Sequence, residues 1–151
     1  MSTERDSRGY WSLPERREEQ SYYVYGTPIG LAQYAHPRML SFLLKLEFCW
    51  GQVSDVPIGI GNISLADGRA WPEHGSHDDG LKVDIRPLRK DRKPLAVSCR
   101  TPQYDRDETR KLVLAIWGIG SVKRILFNDR TLPRVIWWPR HDNHLHVEVA
   151  P

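Results

Sequence analysis

Two short segments set the terms on which this chain can fold. In LKVDIRPL, Leu81, Val83 and Ile85 alternate with Lys82, Asp84 and Arg86; in HDNHLHVEV, Leu145, Val147 and Val149 alternate with His144, His146 and Glu148. Side chains two apart on a strand share a face, so each segment reads as a half-buried strand with an apolar face for a core and a polar face opposite. The polar faces carry Asp84 on one strand and His144 with His146 on the other. If the two strands share a sheet, a carboxylate and two imidazoles come together.

The rest of the chain supplies helices and further strands in mixed order. HPRMLSFLLKLEFCWGQV, with Met39, Leu40, Phe42, Leu43, Leu44, Leu46, Phe48 and Cys49, predicts a largely buried helix ending near Gly51, and DRDETRKLVLAIWGIG predicts a second that stops at Gly118 or Gly120. SYYVYGTPIG predicts a short strand, as do VKRILFND and RVIWWP. IGIGNISLADGRAWPEHGSHDDG is rich in Gly, Pro, Asp and Asn and predicts loop, apart from a strand around Ile60 to Leu65. There is no βαβα rhythm, so the expected class is α+β with a small, mainly antiparallel sheet and flanking helices. Residues 1–20 are charged and lack an apolar period, which predicts a mobile arm ahead of one domain over 21–151.

Composition narrows the function classes. At 151 residues, 40% of them hydrophobic, the chain can bury one good core. A net charge of +3 permits an anionic partner without demanding one. No stretch approaches the length of a membrane helix, and MSTERDSRGYWSLPERREEQ lacks the apolar core of a secretory signal, so synthesis in the cytoplasm without membrane insertion is expected. Cys49 and Cys99 are too few for a disulfide scaffold or a cysteine zinc cluster. They read either as buried free thiols or as one disulfide closing a loop of about fifty residues, worth about 4 kcal/mol.

Five of the six histidines lie in two segments, WPEHGSHDDGLKVDI with His74 and His77, and HDNHLH with His141, His144 and His146. A catalytic zinc site uses three nitrogen or oxygen ligands and leaves one position open. His77, Asp84 and one imidazole of the His-Leu-His pair supply such a set, and the other imidazole is placed to act as general base. Of the remaining candidates, His36 beside Pro37 reads as structural and Arg86, Arg89, Lys90, Arg92 and Lys93 as a solvated basic turn. Trp137 and Trp138 read as packing, with one lining a groove. Asp78 and Asp79 read as solvated carboxylates, and Asp142 is placed to orient an imidazole.

With its Ser-His, Gly and Val-Asp-Ile features, GSHDDGLKVDI resembles the zinc metallopeptidases that group D-alanyl-D-alanine carboxypeptidases, lysostaphin-type enzymes and hedgehog-like domains. HDNHLHV is similar to the terminal pattern of their penicillin-insensitive murein endopeptidase branch, and a looser likeness runs over residues 22–150. The resemblance implies a hedgehog/D-Ala-D-Ala peptidase-like fold and Zn2+ held by His77, Asp84 and His146. It implies His144 as catalytic base, His141 lining the site and supporting the oxyanion, and His74 near the ligands. The implied activity is hydrolysis of the D-alanine–diaminopimelate cross-link of bacterial cell-wall peptide. The expected location of action is the periplasm or cell wall, reached after lysis as a phage lysis enzyme or by non-classical secretion as an antibacterial effector. An effector would have a secretion machine and an immunity protein as partners. A monomer is expected.

Two alternatives on the same site are a D,D- or L,D-carboxypeptidase and a zinc-holding wall-binding module without catalysis. A His-Asn-His nuclease is a third, but the alternating strand through His144 and His146 leaves no following helix to complete one, so no nucleic-acid partner is expected.

Overall fold

A five-stranded sheet carries the molecule, in the order β2 (Tyr22–Val24), β4 (Ile58–Ile60), β5 (Lys82–Ile85), β7 (Leu145–Val149), β6 (Val122–Leu126), with the strand latest in the chain lodged between two earlier ones. The structure, a computed structural model, describes residues 5–14, 21–26 and 31–151. Its strands are β1 (Trp11–Ser12), β2 (Tyr22–Val24), β3 (Tyr34–Ala35), β4 (Ile58–Ile60), β5 (Lys82–Ile85), β6 (Val122–Leu126) and β7 (Leu145–Val149), and its helices are α1 (Pro37–Gly51) and α2 (Arg106–Ile119). β2 and β4 pair in parallel and every other pairing in the large sheet is antiparallel, while β1 and β3 form a separate two-stranded ribbon. The class is therefore α+β, with two helices and two sheets, the larger mainly antiparallel.

The helices form where the apolar period requires them. In α1, Met39, Phe42, Leu43, Leu46 and Trp50 are buried on one side, and His36 caps the first turn by accepting the Arg38 N–H at Nδ1. In α2, Asp105 accepts the Glu108 N–H, Leu112, Val113 and Ile116 are buried, and Gly120 ends the helix at a positive φ of 82°. These faces join Val83, Ile85, Leu145, Val147 and Val149 in one core cluster. β5 and β7 pair Asp84 with His146 and Val83 with Val147, so the two polar faces coincide.

Four expectations change. The loop strand is Ile58–Ile60, earlier and shorter than Ile60 to Leu65, and two 3₁₀ turns, Ala66–Gly68 and Pro72–His74, follow it. RVIWWP is no strand beyond a single bridge from Ile136 to Leu126; Ile136, Trp137 and Trp138 are exposed rather than packed. Cys49 and Cys99 are both free, one exposed on α1 and the other half-buried, so neither the disulfide nor a pair of buried thiols describes them. Residues 5–14 are packed rather than arm-like, with Leu13 buried and Arg8 donating from Nη1 to the Asp78 carbonyl and from Nη2 to the Leu65 carbonyl. Residues 1–4 and 15–20 of the expected arm lie outside the described residues.

Candidate metal centre

Asp84 and His146 face each other across the β5–β7 pair because both occupy the side of the sheet away from the helices. The third group arrives from a loop. Gly80, at a φ of 73° and with its carbonyl accepting the His36 N–H, turns the chain out of the loop and into β5. That turn leaves His77 over the polar face, where its ring meets the His146 ring edge to face at 5.2 Å between centroids.

His77 Nε2 lies 3.3 Å and His146 Nδ1 3.4 Å from Asp84 Oδ1, and all three residues are buried. Their ligand atoms lie within 4.8 Å of one another, a group of metal-holding composition. Asp84 Oδ1 itself is buried and makes no hydrogen bond. An unsatisfied buried carboxylate oxygen is costly, and the natural remedy is a cation. Two ligands on a tetrahedral ion with bonds of about 2.0–2.1 Å stand about 3.3–3.4 Å apart, the separation these pairs have.

Hydrogen bonds at the far side of each ring decide which nitrogen is presented. His77 Nδ1 is 3.1 Å from the Ile63 carbonyl, which only accepts, so Nδ1 carries the proton and Nε2 faces Asp84 as a lone pair. His146 Nε2 is 3.2 Å from Glu148 Oε1 in the same sense, leaving Nδ1 for the centre. In the ion-free protein protons take the place of a cation: burial pushes the Asp84 carboxyl up, but N–H bonds and charge from protonated His146 and His77 rings outweigh burial and hold it well below the usual carboxylate range. Burial lowers His77, and the Asp84 carboxylate more than reverses this.

An open cleft of about 610 Å³, lined by Glu73–Ser76 and Trp138–His141, leads from solvent down to the buried group. His144 stands at its edge, Nε2 3.9 Å from Asp84 Oδ1 and Nδ1 2.8 Å from Asn143 Oδ1. Burial lowers its pKa, which favours the neutral imidazole, the form able to accept a proton. His141 is next to it, 4.7 Å between ring centroids, and burial lowers it likewise. His74 lines the same cleft with its ring against Trp71 at 4.4 Å.

The sequence-predicted residues His77, Asp84, His144, His146, His141 and His74 are thus brought together, and two assigned roles change. His141 Nδ1 donates to the Pro139 carbonyl at 2.8 Å, so the neutral ring offers Nε2 as an acceptor and cannot donate to an oxyanion. Asp142 orients no imidazole; its Oδ2 accepts from Ser98 Oγ at 2.6 Å and its carbonyl from the Cys99 N–H at 2.7 Å. These bonds pin the 137–144 segment on one side, and the Asn128 N–H donating to the His141 carbonyl at 2.9 Å pins it on the other. Sequence reasoning missed Ile63, Asn128 and the position of Glu148 against His146. Only Glu148 left a trace in the sequence, two residues along the polar face from His146.

No protein-family model matches the chain, and no curated protein matches it.

Proposed function

We propose that this protein is a zinc-dependent hydrolase of peptidoglycan peptides, an endopeptidase for the D-alanine–diaminopimelate cross-link, on an architecture of the hedgehog and D-Ala-D-Ala peptidase kind. The observation that carries the reading is the approach of two imidazole nitrogens to one buried, unbonded carboxylate oxygen at 3.3 and 3.4 Å, at the floor of an open cleft. His77 Nε2, Asp84 Oδ1 and His146 Nδ1 would hold the ion. When bound there, Zn2+ supplies Lewis acidity, lowering the pKa of a coordinated water and polarising the scissile carbonyl.

The chain's own groups do the rest. His144, with its proton on Nδ1 toward Asn143, takes a proton at Nε2 from the attacking water and returns it to the leaving amine. His141 Nε2 accepts a substrate N–H. Trp138, exposed at the cleft rim, gives the peptide an apolar surface to lie on. Such a substrate places the protein's action at a bacterial cell wall.

Metal analysis of untagged protein should find close to one zinc per chain, and the loaded protein should convert cross-linked muropeptide dimers to monomers with gain of one water, read by mass spectrometry. Loss of a terminal D-alanine alone would assign a carboxypeptidase instead. A protein that binds zinc and leaves all muropeptides intact would overturn the hydrolase reading, as would full activity after chelation.

A further inference from the structure

Glu148 is a carboxylate with 4% of its surface exposed, two residues beyond His146 on the same strand. A buried carboxylate on a β-strand needs a reason, because removing its charge from water is costly unless partners replace the solvent. Both oxygens are used. Oε2 accepts from Arg124 Nε at 2.5 Å, while Oε1 accepts from Arg124 Nη2 at 3.1 Å and lies 3.2 Å from His146 Nε2. The sheet builds this arrangement: a register shift between Val122 and Arg124 in β6 sets Arg124 directly opposite Glu148. Lys82, the neighbour of Glu148 on the β5 side, is engaged instead by Asp79 at 2.6 Å.

A carboxylate can only accept, so the contact fixes the His146 proton on Nε2 and the lone pair on Nδ1, the atom facing Asp84. A negative charge behind an imidazole also raises its basicity as a ligand. Arg124, whose side chain is 54% exposed, bonds both oxygens of the carboxylate and so holds it against Nε2. We infer that Glu148 and Arg124 are positioning residues of the metal centre: Glu148 sets the tautomer and donor strength of His146, and Arg124 fixes Glu148 from the outer strand. The inference rests on the metal-site reading and asks nothing of the reaction.

The test is zinc affinity of the full chain by competition with a chromophoric chelator, together with the absorption spectrum of the cobalt-substituted protein. Glu148→Gln should bind zinc about 10–100-fold more weakly, the magnitude typical when such an outer partner is altered, and should shift the cobalt bands. Arg124→Ala, at an exposed side chain, should keep the far-UV circular dichroism of the parent and weaken zinc severalfold, with Arg124→Lys recovering part of the loss. The two losses should not add in the double variant, since they act through one contact. Unchanged zinc affinity and cobalt spectrum in a folded Arg124→Ala and Glu148→Gln would overturn the inference and leave the metal site standing. A parent protein that binds no zinc would overturn both.

Discussion

Two imidazoles two residues apart, His144 just ahead of β7 and His146 within it, take different work because their surroundings differ. His146 is buried with a carboxylate behind it and another in front, whereas His144 keeps 24% of its side chain exposed and stands at 3.9 Å from the nearest Asp84 oxygen. His144→Ala should therefore retain near-stoichiometric zinc and the parental fold but lose hydrolysis by 10²–10⁴-fold, the usual contribution of a positioned proton acceptor. His146→Ala should lose zinc and activity together. Metal content and muropeptide turnover measured on both variants decide it: zinc lost from His144→Ala and kept by His146→Ala would exchange the two roles. His77, Asp84 and one imidazole of the His-Leu-His pair were legible in the sequence as candidate ligands because alternation and the His77 to Asp84 spacing are local properties, while the choice of His146 over His144 came only from the resemblance. The acceptor character of His141 was not, since it depends on where the Pro139 carbonyl points after the chain turns.

Among the elements, the strands and helices were readable wherever burial imposes a period, and the exceptions have a common cause. RVIWWP has strand composition and meets the open outer edge of β6, but turns with a positive φ at Arg134 and Arg140 bracket it, so only Ile136 bonds there, to the Ile125 carbonyl and the Phe127 N–H. The alternation in β7 predicts a half-buried strand, but its polar residues are buried as well, His146 against the His77 ring and Glu148 against the Arg124 guanidinium. The 137–144 segment is fixed by hydrogen bonds at its two flanks rather than by regular structure. Asp142→Ala removes the Ser98 contact and none of the metal-holding groups. It should leave zinc content unchanged, reduce turnover about 10–100-fold through misplacement of His144 and His141, and speed amide hydrogen exchange over residues 137–144. Unaltered exchange in that segment would show that the Ser98–Asp142 bond does not restrain it.

For the molecule as a whole, the acid limit of stability has an identifiable contributor away from the cleft. Asp129 is buried, which raises its carboxyl, but bonds from Thr131, Tyr104 and Arg106 outweigh burial and bring it down to about 2. An unfolded aspartate titrates near about 3.9, so the folded state gains from ionisation: the contribution is whole above that pH and is lost as pH falls toward 2. Because Arg106 is half exposed, screening reduces the figure to on the order of 1–2 kcal/mol. Asp129→Asn should be less stable by that amount at pH 7 in urea titrations and should show a flatter loss of stability between about pH 4 and 2. The order of strands also bears on how the chain comes to be folded at all. β5 and β6 never touch; each waits with an open edge for β7, which is synthesised after both. Until residues 145–149 emerge, β5 of a nascent chain has one open edge, β6 has no partner strand and the core is uncovered, the condition in which chains adhere to one another. The same insertion that closes the sheet delivers His146 to Asp84, so the proposed metal centre cannot assemble before the sheet is finished.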